Sequence, residues 1–207
     1  MSRAPDERAD QAHQAARHGS DTVPAATGPD RYRLAVDVHL LLVRYGPDGG
    51  AELLLSRRAG AVYATGLWHA PSGHLDGPHE DVVTAVIREA AEETGVRIEP
   101  EAVRLAVTVH HRGPLGRARI GLFFEALAWQ GIPHVREPEV CDAMGWYPLD
   151  ALPEPMVAYC RAALDAYRAG LPGAVHFQEP GDPVPHHPDA PDRTRQLPGP
   201  ARVPRTP

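Results

Sequence analysis

Apolar residues recur at every second position in Tyr32–Arg44, with Val36, Val38, Leu40 and Leu42 on one side. That period of two predicts a strand with one face on a core. Gly46-Pro47-Asp48-Gly49-Gly50 is a run of turn formers, and Glu52–Ser56 beyond it reads as the hairpin partner. Gly66–Gly73 reads as loop, short strand and loop. The period then changes. Val82, Val83, Val86, Ile87, Ala90 and Ala91 mark one face of a helix, with Asp81 placed to cap its start and Gly95 to end it. Val103–Arg112 and Ile120–Trp129 are further strands joined through a turn at Gly113–Gly116. Glu139–Leu149 reads as loop and short strand. Pro155–Arg168 reads as a final amphipathic helix, carrying Met156, Tyr159, Cys160, Ala163, Leu164 and Tyr167.

Strands, a helix, more strands and a closing helix form an α+β order rather than a repeating βαβ one. Residues 1–30 are polar without steady periodicity and are expected to be disordered, with at most a transient helix near Asp10–Arg17. From 172 to 207 the chain is dense in proline, and the expectation is an extended, mobile tail whose removal leaves function intact. The folded domain is thus expected over 31–171.

Composition narrows the chemistry. The 207 residues are 43% hydrophobic, enough for a core, and carry a formal charge of −6. An acidic chain argues against a nucleic-acid-binding face. All 21 basic residues are arginine, so a lysine Schiff base and a lysine phosphate clamp are excluded. The two cysteines, Cys141 and Cys160, suggest free buried thiols. No apolar run resembles a signal peptide or reaches membrane-spanning length, so a cytoplasmic protein with no membrane partner is expected.

The densest chemistry lies in Arg88-Glu89-Ala90-Ala91-Glu92-Glu93-Thr94-Gly95. Glu89, Glu92 and Glu93 stand at i, i+3 and i+4 and share one helical face. Like charges at that spacing cost roughly 0.2–0.5 kcal/mol per pair on an exposed helix, and a cation between them reverses the sign. Hard oxygen ligands of this kind suit magnesium completed by phosphate oxygens and water. The histidines His69, His74 and His79 recur at five-residue intervals, which matches no helical two-histidine zinc site.

Gly73, Glu80, Arg88, Glu89, Glu92, Glu93 and Gly95 together resemble the signature box of the Nudix hydrolases, with six rather than five residues between Gly73 and Glu80. The extra residue leaves open where Glu80 points. The resemblance covers about residues 32–168. It implies a mixed β-sheet in an α/β/α sandwich with a loop–helix–loop box, and metal-dependent hydrolysis of a phosphoanhydride in a nucleoside diphosphate linked to another group. It implies Mg²⁺, with Mn²⁺ as the alternative, held by Glu92, Glu93, the Ser72 backbone carbonyl and a further carboxylate, Glu137. Glu89 is implied as general base or additional ligand, and Arg88 as the partner of Glu80. Gly73 and Glu80 shape the substrate side. Arg57 and Arg58 are candidate phosphate contacts, as are Arg112, Arg117 and Arg119, and His74 is a candidate proton shuttle. Trp68 and Trp146 are expected to pack. The expected partner is a small nucleotide, and a homodimer is one allowed assembly. By subtraction the substrate is a nucleoside triphosphate in the MutT-like manner; the alternatives are ADP-sugar or ADP-ribose pyrophosphatase activity, or a module that senses a nucleotide without cleaving it.

Overall fold

The computed structural model describes residues 32–199. The N-terminal segment, on which disorder and a transient helix near Asp10–Arg17 are expected, and residues 200–207 lie outside the described residues. The elements in order are β1 (Ala35–Tyr45), β2 (Ala51–Arg58), β3 (Trp68–His69), β4 (Ser72–His74), α1 (Val82–Glu89), β5 (Val103–Arg112), β6 (Ala118–Ala126), β7 (Cys141–Pro148), α2 (Ala158–Arg168), β8 (Gly173–Phe177) and β9 (Thr194–Leu197).

The strands form one mixed sheet in the order β3-β2-β1-β6-β5-β8-β9, with β4 on β1 and β7 on β2. β1 is its axis. It pairs in parallel with β6 from Ala35↔Arg119 to Leu42↔Ala126, and antiparallel with β2 and β4. Such a strand must be buried on both faces, and residues Asp37–Leu42 are. One face packs Leu41, Leu53, Leu55, Val109 and Phe123 against Cys160, Ala163 and Leu164 of α2. The other packs Val38, Leu40, Leu42 and Phe124 against Ala85, Val86 and Ala90. The result is the expected sandwich of helix, sheet and helix.

α1 begins as the sequence directs. The Asp81 carboxylate accepts from the backbone N–H of Val83 at 2.8 Å and Thr84 at 3.0 Å, a cap worth about 1 kcal/mol. The last turn, Ala90–Thr94, widens into a π-helical turn, and Gly95 ends it at φ 75°. Widened turns of this kind gather at functional sites; this one carries Glu92 and Glu93. β7 is longer than the short strand expected, because Leu53–Arg58 of β2 gives it a full edge to pair with.

The expectation of a mobile tail after 172 is corrected. Gly173–Phe177 is strand, paired in parallel with β5 from Thr108↔Gly173 to Arg112↔Phe177, and Thr194–Leu197 pairs antiparallel with it. Gly173, Ala174, His176 and Gln178 are buried. Pro180, Pro183, Pro185, Pro188 and Pro191 sit in the crossing between the two strands, where no ladder donor is required. Gly173 is needed at its position, because a Cβ there would meet the Thr108 carbonyl oxygen at 2.5 Å. Proline density alone concealed the β-competent run Gly-Ala-Val-His-Phe. Ending the chain at residue 171 strips the β5 edge and uncovers Ala174's site. That truncation should lower the thermal midpoint by several degrees or abolish soluble expression; unchanged melting by calorimetry would refute the structural role.

Candidate active site

The loop after β4 and the helix α1 meet through Arg88. Its guanidinium donates five hydrogen bonds, two to Glu80 at 2.9 and 3.1 Å, and one each to Glu89 (2.9 Å), Glu92 (2.8 Å) and the His74 carbonyl (2.8 Å). Glu80 also accepts from the Asp76 backbone N–H at 2.7 Å. Glu80 therefore points at Arg88; the loop absorbs the additional residue and the pairing survives.

Gly73 lies under this network. A Cβ built there would fall 1.8 Å from the Glu89 carboxyl carbon, so the glycine vacates the space that Glu89 fills. Glu93 reaches the same segment from one turn on, and accepts from the Ser72 backbone N–H at 2.8 Å. The loop 131–137 closes the far side: the backbone N–H groups of His134 and Arg136 donate to the Thr94 and Glu93 carbonyls at 3.0 and 3.2 Å. It brings Glu137 close enough to act on Glu93 electrostatically.

A cleft of about 480 Å³ opens above Ser72, Gly73 and Glu93, on the α2 face of the sheet. Its floor is polar and buried. Asp37, His39, His69 and His111 are buried there. His111 stacks on Tyr159 at 4.0 Å and His39 on Phe123 at 4.1 Å. Burial lowers His69 and His111 to about 3 and His39 well below its ordinary range, so all three are neutral. Neither His39 nitrogen, nor Nε2 of His111, has a hydrogen-bond partner among the described residues.

The same burial acts on the acids with the opposite sign. Glu93 is raised to about 8, first by burial and then by Glu89 and Glu137, against the lowering effect of the Ser72 N–H. Glu89 is raised by burial too, although Arg88 pulls it down. Two carboxyls raised by burial thus act on one another here, Glu89 held by Arg88 and Glu93 not, and oxygen donors of this kind suit a hard divalent cation. Among the described residues no three His, Cys, Asp or Glu side chains already converge into a metal cage; Arg88 holds one oxygen of Glu89.

The structure gathers Glu89, Glu93, Ser72, Gly73 and Arg58 at or beside the cleft. Glu92 stands on Arg88 with its side chain half exposed, outside the cleft lining. Arg57 points away from the cleft, bound to Asp142 at 2.7 Å, because alternate strand residues face opposite sides and Ser56 and Arg58 take the inner one. Arg112 turns to Gln178 and Glu179. His74 sits against Asp37 and Arg119. Trp68 packs on Tyr147 and Trp146 on Trp129, as expected. Sequence reasoning missed Asp37, His39, His111 and Tyr159 as cleft residues. The alternation of Asp37 and His39 with Val36, Val38 and Leu40 marked a polar strand face; nothing in it distinguished a cleft floor from a solvated surface.

A box of this geometry on this sandwich defines a Nudix hydrolase fold. The NUDIX domain family model matches residues 34–166, and the chain belongs to that family. Among particular proteins, it is 33% identical to the MutT NUDIX hydrolase from Burkholderia pseudomallei, covering 65% of this chain and 98% of that one with a TM-score of 0.57. It is 30% identical over 144 residues to the human 8-oxo-dGDP phosphatase NUDT18, covering 69% of this chain and 42% of the relative. The chain thus spans less than half the length of that curated relative. The E. coli ORF135 protein, at 23% identity and a TM-score of 0.53 over 69% of this chain and 94% of that one, shares the fold. No helix among the described residues is long and apolar enough to cross a membrane.

The raised Glu93 carboxyl has a measurable consequence in chelator-treated protein. The unfolded chain releases this proton near 4.5 and the folded chain near 8. Folding is therefore favoured below the lower value, loses stability between the two, and is level above. Glu93→Gln should flatten the fall of the thermal midpoint between those pH values; an unchanged profile would place the burial elsewhere. Gly73→Ala should leave melting nearly unchanged, since only a flexible carboxylate must move, while weakening Mn²⁺ binding about tenfold by displacing Glu89, as read by paramagnetic resonance titration.

Proposed function

We propose that this protein is a metal-dependent nucleotide hydrolase that cleaves a phosphoanhydride, with a nucleoside triphosphate as substrate and a nucleoside monophosphate and pyrophosphate as products. The observation that carries the reading is that Glu89 lies against Gly73 and Glu93 accepts from the neighbouring Ser72 N–H, beside the cleft, with both carboxyls raised by burial.

Glu93 and Glu89, with the Ser72 carbonyl and Glu137 from the facing loop, would hold Mg²⁺ or Mn²⁺. When bound, such an ion neutralises phosphate oxygens and makes a coordinated water more acidic. The chain's own residues do the remainder. Arg88 fixes Glu89 and the loop carbonyl of His74 in one frame. Glu89 accepts the proton of the attacking water, its raised carboxyl being better matched to that task than an ordinary exposed glutamate. The water oxygen bonds to phosphorus as the bond to the bridging oxygen breaks, and the pyrophosphate leaves with the electron pair. The floor of buried His39, His69 and His111 with Tyr159 accommodates the uncharged part of the nucleotide.

A second substrate reading draws on the human relative, whose name assigns it to 8-oxo-dGDP. That would make an oxidised purine nucleoside diphosphate the substrate here, on the same residues. ADP-ribose and ADP-sugars belong in the comparison as well. A panel of nucleoside triphosphates, 8-oxo-dGDP and ADP-ribose, each with Mg²⁺ or Mn²⁺, separates these by phosphate and pyrophosphate release. Turnover of at least one member, lost by about two orders of magnitude or more in Glu93→Gln, is the expected result. Tight nucleotide binding with no turnover across the panel would instead make the protein a sensor.

A further inference from the structure

Five arginines surround the region where a nucleotide would lie, and the structure treats them unequally. Arg57 and Arg112 are engaged outside the cleft. Arg58 lines it, but its Nε donates to the Tyr63 carbonyl and its Nη1 lies 3.4 Å from His69. Arg117 lines it without an anchoring partner among the described residues. Arg119 is different. Its Nη1 donates to the Asp37 carboxylate at 2.7 Å, and the His74 ring nitrogen lies 2.8 Å from the same atom. Nε and Nη2 make no hydrogen bond among the described residues, and the side chain, about a third exposed, lines the cleft.

Asp37 explains why the fork is held. It is buried on the central strand β1, paired in register with His74 of β4 and one strand from Arg119 of β6. A buried carboxylate persists only when paired, and this one has Arg119 as its strong partner, with His74 at 3.3 Å and His111 at 3.9 Å. Anchoring Nη1 of a planar guanidinium leaves three further N–H donors, one on Nε and two on Nη2, with fixed direction, which suits a phosphate oxygen pair. His74 follows Gly73 in β4, so the fork stands one residue beyond the glycine that receives Glu89.

We propose that Arg119, aimed by Asp37, is the residue that grips a substrate phosphate in this cleft, beside the Ser72–His74 segment that also receives Glu89 and Glu93. This deepens the hydrolase reading and rests on it only for the name of the ligand: the predicted contact is with a phosphate, cleaved or not. Arg119 is a binding residue, and Asp37 a positioning residue that acts through it.

Isothermal titration of the full chain in EDTA, with inorganic pyrophosphate and with GDP, tests the assignment. Arg119→Ala should weaken both at least tenfold, Arg119→Lys should restore part of the loss, and Asp37→Asn should cost less than Arg119→Ala. Because Arg119→Ala strands a buried carboxylate, the double variant Asp37→Asn/Arg119→Ala supplies a second test and should bind as poorly as Arg119→Ala. Pyrophosphate binding unchanged in the double variant overturns the proposal, and so does wild-type protein that fails to bind pyrophosphate at millimolar concentration. A loss confined to GDP would mean that Arg119 reads the nucleoside, and also overturns it. Wild-type affinity in Asp37→Asn removes the positioning role. Glu93→Gln should keep the Arg119-dependent binding, so absence of turnover sinks the hydrolase reading without touching this one.

Discussion

The contact between the Arg88 guanidinium and its four acceptor groups determines where Glu80, Glu89 and Glu92 stand. It ties the loop after β4 to the helix through Glu80 and the His74 carbonyl, and it holds both Glu89 and Glu92 on Nη1. With Arg88 in that position, Glu89 has one place to go, the space left by the missing side chain of Gly73. The carboxylate repulsion expected along an acidic helical face is thus partly relieved by one arginine. The remainder is concentrated on Glu93, which Arg88 does not reach and which burial pushes furthest from its ordinary range. An ion that fits this site gains from the strain that the fold leaves there.

Burial acts in opposite senses on the two ends of the cleft. It holds the imidazoles of His39, His69 and His111 neutral and the carboxyls of Glu89 and Glu93 reluctant to ionise. On the proposed function, the low-dielectric floor would take an uncharged ring, and the neighbouring carboxyls with their cation would take the phosphates. Arg58, Arg117 and Arg119 line the same cleft, and Asp37 gives only Arg119 a buried carboxylate anchor.

The sheet extends past the residues that match the family. β8 and β9 follow residue 166 and add two strands on the β5 side, the strand that contributes His111 to the floor. The connection between them carries the prolines and passes over the start of α2, where the Ala158 N–H donates to the Val184 carbonyl and the His186 N–H to the Met156 carbonyl. The C-terminal region is therefore part of the support beneath Tyr159.

Period and spacing were sufficient for the strands β1, β2, β5 and β6, for the capped helix from Asp81 to Gly95, and for the box itself, because these depend on neighbours within a few residues. The pairing of Glu80 with Arg88 was also legible in type, and needed only a loop able to take up one more residue. The rest was decided by contacts between distant segments. Asp37, His39, His111 and Tyr159 meet only because β1, β5 and α2 pack together, and no local pattern separates a buried polar face from a wet one. The assignment of Arg58 to the cleft and Arg57 to the outside followed from which face of β2 the sheet turned inward. The strand β8 was hidden by the prolines after it, since pairing with β5 supplies stability that local propensity lacks. Local chemistry wrote the acids into the chain; burial, a property of the assembled sandwich, made them a site.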